Sequence, residues 1–97
     1  MPYISKKHRV PLEPAIDALA DTIQSVYSAN EAQQKDGLVN FAVTELLNKL
    51  YPNARYTDLN EIVGVLECIK LEYYRKRISP YEDLKESENG AVRTFDE

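Results

Sequence analysis

The feature that most constrains the fold is the run from Tyr56 to Ile78, in which apolar residues recur at spacings of three and four. Such spacing places side chains on one side of an α-helix. One set, the main stripe, consists of Leu59, Ile62, Val63, Leu66, Ile69 and Tyr73. Another set, the second face, consists of Gly64, Leu71, Tyr74 and Ile78. The run therefore predicts a long helix with two apolar faces. Gly64 interrupts it at a cost of about 1 kcal/mol relative to alanine, which suggests that another backbone passes close.

The rest of the chain also favours helices. It has only 3 glycines, and it lacks the alternation of polar and β-branched residues that is typical of strands. Pro14 and the apolar residues that follow it predict a first helix from about Pro14 to Ser28. A polar connection over residues 30–35 then leads to the second helix.

Capping signals give the limits of the second and third helices. Asp36 is a plausible N-cap for a second helix that ends near Tyr51. Asp58 and Glu61 form a candidate capping box for the long third helix, and Thr57 is the competing cap. Each of these signals comes from side chains that satisfy the free N–H groups of a first helical turn.

A bend is predicted where the long run ends. Ser79 and Glu82 form a second candidate capping box, and Pro80 stands at the first helical position, where its missing N–H costs nothing. We therefore expect the chain to turn at Ser79 and to form a short helix that ends near Asn89 and Gly90.

Length and composition indicate one small helical domain over residues 1–97. Residues 1–11 are expected to form a basic arm, and residues 91–97 an acidic, flexible tail. The sequence contains no apolar run of membrane-spanning length and no signal-peptide core, so we expect a cytoplasmic protein. Cys68 is the single cysteine, which fits a reducing compartment or a packing role.

Several motifs match a known pattern. They are the run Asn-Glu-Ile-Val-Gly-Val-Leu-Glu from Asn60 to Glu67, then Glu72-Tyr73-Tyr74-Arg75, Pro80-Tyr81-Glu82-Asp83 and Glu88-Asn89-Gly90. In these motifs the chain resembles a family of small, functionally uncharacterised bacterial, archaeal and phage proteins, and the resemblance covers most of its length. It implies a domain of unknown function of prokaryotic or phage origin, and it implies no activity.

The basic and aromatic residues around the predicted bend form the leading candidate for a ligand site. The candidates are Tyr73, Arg75, Arg77, Tyr81, Glu82, Lys85 and Asn89. Guanidinium groups and the N–H groups of a helix N-terminus both suit an anion such as phosphate. The alternative is structural, because cations at the end of one helix and acids at the start of the next complement the helix dipoles. Arg75 or Arg77 would then form a salt bridge with Glu82 or Asp83.

Carboxylates on two helices suggest an alternative function. Glu61, Glu67 and Glu72 lie on the long helix, and Asp17 and Asp21 lie one turn apart on the first. Carboxylates that meet between helices hold Mg²⁺ on a triphosphate in all-α nucleotide pyrophosphohydrolases of the MazG type, and the segment 61–66 resembles one acidic helix of that group. The chain departs from that group because the preceding helix lacks paired glutamates. The structural alternative is a solvated face with salt bridges.

Binding to nucleic acid is a third hypothesis. Lys6, Lys7, His8 and Arg9, together with the cluster 75–77, would form one basic patch. A net charge of −4 argues against a large phosphate-binding surface, so we treat the role of a nucleic-acid-binding accessory protein as the last alternative.

Tyrosine is the preferred aromatic residue, with 7 Tyr against 2 Phe and no Trp, which favours half-buried positions and interfaces. We therefore predict an all-α fold, a small bundle of three main helices with a long third helix and a short C-terminal helix.

The predicted function is that of a non-enzymatic oligomeric interaction module or anionic-ligand-binding module. A homodimer or higher oligomer would form through the second face. We expect no cofactor, with Mg²⁺ only under the hydrolase alternative. A protein or a phosphate-bearing small molecule is the possible further partner, and a membrane is not expected to be one.

Overall fold

The computed structural model describes residues 2–29 and 34–96, which form helices and turns and contain no strand. The elements are α1 (Lys6–Arg9), α2 (Leu12–Ala29), α3 (Lys35–Leu50), α4 (Tyr56–Tyr73), a π-helical turn (Tyr74–Ile78), α5 (Ser79–Asn89) and a 3₁₀ turn (Arg93–Asp96). The predicted all-α fold, with a long third main helix and a short C-terminal helix, is confirmed. Residues 30–33 of the predicted polar connection lie outside the described residues.

The chain divides into two compact units. The first unit is Pro2–Leu59, and the second unit contains Asn60–Glu97, so the division falls within α4. The prediction of a single domain over residues 1–97 stays a prediction.

The first unit is built on the pair α2 and α3, which pack against each other. Ile23 of α2 and Leu38 and Ala42 of α3 are half-buried. The basic arm before this pair contains the single helical turn α1, and the Arg9 side chain fixes it by donating from Nε to the Ile4 carbonyl at 2.7 Å. Part of the predicted arm is therefore ordered by local hydrogen bonds.

Two predicted caps are wrong by two or three residues. Helix α3 begins at Lys35 after Gln34, so Asp36 lies in its first turn, where Oδ1 accepts from the Gly37 N–H at 2.8 Å. Helix α4 begins at Tyr56, and Asp58 Oδ2 accepts from the Arg55 N–H at 3.0 Å. Asp58 is thus the residue that reaches back across the first turn, and it does not open a capping box with Glu61.

The predicted bend at Ser79 is also wrong. Ser79 has helical angles (φ −57°, ψ −46°), and its N–H donates to the Tyr74 carbonyl, five residues back. The chain therefore passes from α4 through the π turn into α5 without leaving the helical region. The physical reason is Pro80, which has no N–H and whose ring would clash with the carbonyl four residues earlier in an α-helix. A wider π turn before the proline gives that carbonyl room.

The C-terminal end of α5 agrees with the prediction. Gly90 has a φ of 90°, a conformation that favours glycine, and its N–H donates to the Glu86 carbonyl at 2.7 Å. Beyond it, the Phe95 N–H donates to the Val92 carbonyl at 3.1 Å in the 3₁₀ turn. Across the described ranges, no helix combines the length and the apolar character that a membrane span requires.

Candidate interaction surface

The exposure of apolar side chains is the most unusual feature of the molecule. No residue within 2–29 and 34–95 is buried. Folded proteins normally bury most of their Ile, Val and Leu side chains. Each main helix therefore presents apolar side chains that the rest of the described chain leaves open to solvent.

Helix α4 shows this exposure on both of its apolar faces. Val63 and Leu66 of the main stripe are 65% and 40% exposed, and Ile62 is its one half-buried member. On the second face, Leu71 is 57% exposed and Tyr74 is 50% exposed. A helix that is apolar on two faces normally has cover on both.

Gly64 lies on the second face, next to open space. A methyl group added at this position would meet nothing within 4 Å outside its own helical turn. The predicted close approach of another backbone is therefore not made by any described part of this chain. Within one copy nothing requires glycine here, although glycine costs a helix about 1 kcal/mol relative to alanine.

The predicted ligand residues lie along one continuous helical segment. Tyr73 ends α4, Arg75 and Arg77 lie on the π turn, and Tyr81, Glu82, Lys85 and Asn89 lie on α5. Arg75 Nη2 donates to Glu72 Oε1 at 2.7 Å, so this arginine forms an ion pair with the turn before it. Lys85 Nζ lies 3.3 Å from Glu88 Oε2 and 5.6 Å from the centre of the Tyr81 ring.

Some of these residues line a hollow beside α5. Its volume is about 440 Å³, and its lining includes Glu82, Lys85 and Asn89. The rest of the lining is Tyr74, Asp83, Glu86, Gly90, Val92 and Phe95. Tyr73, Arg75, Arg77 and Tyr81 are not among the lining residues, so only three of the seven predicted residues line this hollow. With three carboxylates against one lysine, the hollow does not favour an anion.

The carboxylates of the hydrolase alternative are exposed or paired on their own helices. Glu67 Oε1 lies 3.3 Å from Lys70 Nζ, and Glu72 accepts from Arg75. Asp17 and Asp21 are exposed on α2, and Glu61 is exposed on α4. Within the described ranges, no three histidine, cysteine or acidic side chains lie together in a way that would hold a metal ion.

Sequence reasoning missed a groove between α2 and α3. Its volume is about 510 Å³, and it is lined by Leu19, Thr22, Ile23, Val26, Leu38, Phe41, Ala42, Glu45, Leu46 and Lys49. Phe41, which is 68% exposed, is one of its lining residues from α3. The available signal was that both helices carry apolar residues over a wider arc than one neighbour covers.

The π turn was also missed. Its signal was Pro80 inside a pattern that remains helical on both sides. Such a proline either ends a helix or distorts it, and sequence alone does not decide between the two. The distortion here carries three consecutive cations, Arg75, Lys76 and Arg77.

Comparison with known proteins identifies a family for this chain but no individual relative. No curated protein and no solved structure matches the chain. One family model does match, over residues 1–92, and its description is Domain of unknown function (DUF6899). The chain therefore belongs to this uncharacterised family, as its motifs indicated.

Proposed function

We propose that this protein is a self-associating helical interaction module, whose copies cover each other's exposed apolar faces. The single observation that carries the proposal is that no described residue is buried, although α2, α3 and α4 all carry apolar side chains at helical spacing. Leaving a large apolar side chain in water forgoes about 1.5–3 kcal/mol of burial free energy. Association of copies recovers that free energy.

The size of the chain supports the same proposal. Domains of about 100 residues are marginally stable even when they have a core, and isolated helices depend on tertiary packing. The second unit consists of helices and turns in which Ile62 is the one half-buried apolar residue among those described. Association therefore supplies the packing that this unit needs to remain folded.

Sedimentation velocity over a range of protein concentrations tests the proposal. We expect a mass of at least twice 11.1 kDa at micromolar concentration. The melting temperature should rise with protein concentration, because association stabilises the folded state by mass action. A folded 11.1 kDa species with a cooperative melting transition that is independent of concentration would contradict the proposal.

We also propose a second candidate role, the binding of a phosphate-bearing anion at the π turn. Three consecutive cations lie on this turn, and π turns recur at functional sites. Pyrophosphate without metal should then raise the melting temperature, and Arg77→Ala should remove this shift while Lys49→Ala, a control in the first unit, should leave it unchanged.

The same titration separates the remaining alternative. If a nucleoside triphosphate stabilised the protein only in the presence of Mg²⁺, the hydrolase hypothesis would gain support at the expense of the anion site. An absence of any shift with pyrophosphate would remove the anion-binding role and leave self-association unaffected.

A further inference from the structure

We propose that two copies pair through antiparallel α4 helices about a two-fold axis beside Cys68. This proposal rests on the self-association proposed above and names the surface that carries it. The surface, here called the Cys68 face, consists of Glu61, Gly64, Val65, Cys68, Leu71, Glu72 and Arg75. At 100° per residue the positions from Glu61 to Glu72 fall on one side of α4, opposite Leu59, Leu66 and Tyr73 of the main stripe, and Arg75 follows Glu72 on the π turn.

Charge complementarity gives the direction of the pairing. Glu61 stands seven residues before Cys68 and Arg75 stands seven residues after it. In an antiparallel pair centred on Cys68, Glu61 of each copy therefore lies opposite Arg75 of the other, and opposite charges meet twice. A parallel pair would place like charges opposite each other, which is destabilising. Self-complementarity of this kind is what a two-fold interface requires.

The side chains at the two ends are both exposed to solvent. Glu61 is exposed, and the side chain of Arg75 remains 61% exposed while it bonds to Glu72. A guanidinium group has five N–H donors, so it can bind a second carboxylate beside the first. Glu61 of the second copy would thus join an ion pair that already holds Arg75 in place.

The centre of the Cys68 face suits close contact. Val65 lies three residues before Cys68 and Leu71 lies three residues after it. Val65 of one copy would therefore pack on Leu71 of the other copy across the axis. Both side chains are exposed in the single chain. Gly64 has no side chain to keep the second helix away, and open space lies next to it. A close approach of two helices would explain why position 64 is a glycine, since no described contact within one copy requires a glycine there.

The exposed surface around Cys68 extends beyond the seven residues of the Cys68 face. The seven residues of the Cys68 face and the adjoining Tyr74 and Ile78 are mostly exposed. A standard interface buries roughly 800 Å² of each partner, so this exposed surface would form the centre of a larger contact. The opposite main stripe remains free for other helices.

Cross-linking through the native cysteine tests the position of the axis. Cys68 is exposed and is the single thiol of the chain, so a short bismaleimide should join two copies of the wild-type protein in high yield. The matched control is the double variant Cys68→Ser, Lys70→Cys, which moves the thiol to another side of the same helix. Equal yields from the two proteins would overturn the proposed axis.

Charge reversal tests the direction. Glu61→Arg or Arg75→Glu alone should weaken dimerisation by about tenfold or more, because each change places like charges at both ends of the interface. The double variant, and an equimolar mixture of the two single variants, should restore it, because opposite charges meet again in both cases. Lys70→Glu, at a position on the opposite side of α4 from Cys68, should have no effect.

The outcomes separate this inference from the proposed function. A chain that dimerises without the selective cross-link and without charge rescue retains self-association and refutes the Cys68 axis. A chain that stays monomeric refutes both. Circular dichroism of each variant under the same conditions shows whether a lost dimer reflects a lost helix. In the equimolar mixture each copy carries the same substitution as the single variant does. A dimer that forms there shows that the substitution itself does not unfold the helix.

Discussion

The two units of the molecule treat similar apolar helices in different ways. In the first unit α2 and α3 pack against each other, so Ile23, Leu38 and Ala42 are half-buried. Among the residues of the second unit that the structure describes, Val63, Leu66 and Leu71 of the long helix are all exposed. A helix pair hides one face of each member, whereas a single helix with two apolar faces hides neither. Under the proposed self-association, α4 is therefore the part of the chain that would gain most from a second copy.

The largest expected effect comes from placing a charge on the exposed side of α4. Leu71→Asp should weaken self-association by about 100-fold, because a carboxylate would be removed from water without a partner. Analytical ultracentrifugation measures the change. Val10→Asp, at a position of the first unit that is 66% exposed, should change the affinity by less than twofold. If the two variants weaken self-association equally, then α4 contributes no more to association than the first unit does.

An intermediate effect is expected at the π turn. Pro80→Ala removes the ring that prevents an α-helical register, so it should stabilise the protein by about 1–2 kcal/mol and return residues 74–78 to α-helix. Urea denaturation gives the free energy of unfolding, and amide NMR reports the register. Pro52→Ala, in the loop before α4, should instead destabilise slightly. A Pro80→Ala protein less stable than the wild type would show that the π turn is favoured for another reason.

The smallest effect, with a change of sign, is expected at Gly64. In a dilute sample Gly64→Ala should stabilise the helix by about 1 kcal/mol, since the new methyl group meets nothing in its own chain. In a concentrated sample the same methyl group should lower the melting temperature, because it separates the paired helices. Gly90→Ala is the control, and its φ of 90° predicts destabilisation at every concentration. Stabilisation by Gly64→Ala at all concentrations would place the interface elsewhere.

The helices themselves were predictable from the sequence. Apolar spacing of three and four is a local property, so it located α2, α3 and α4, whereas Ser79, Pro80 and Gly90 located α5. Their limits were less predictable, because capping signals depend on backbone angles that side chains only bias. Ser79 illustrates this point, since Ser-x-x-Glu followed by proline fits a helix start, yet the residue has the angles of a helix interior.

The candidate surface was only partly predictable. The second face followed from periodicity alone, but the exposure of both faces of α4 did not, because exposure depends on what packs against a helix. The predicted ligand residues were grouped on the assumption of a bend at Ser79. Since the chain continues as a helix there, Arg75 meets Glu72 in the preceding turn, and Tyr73 and Tyr81 do not join Lys85 in one hollow.

Hydrogen–deuterium exchange of the α4 amides over a range of protein concentrations tests the central claim most directly. If a second copy covers α4, the amides of residues 60–73 should exchange slowly in concentrated samples and much faster in dilute ones, while those of α2 and α3 change less. Exchange of the α4 amides at one rate across all concentrations at which the protein is folded would contradict the account.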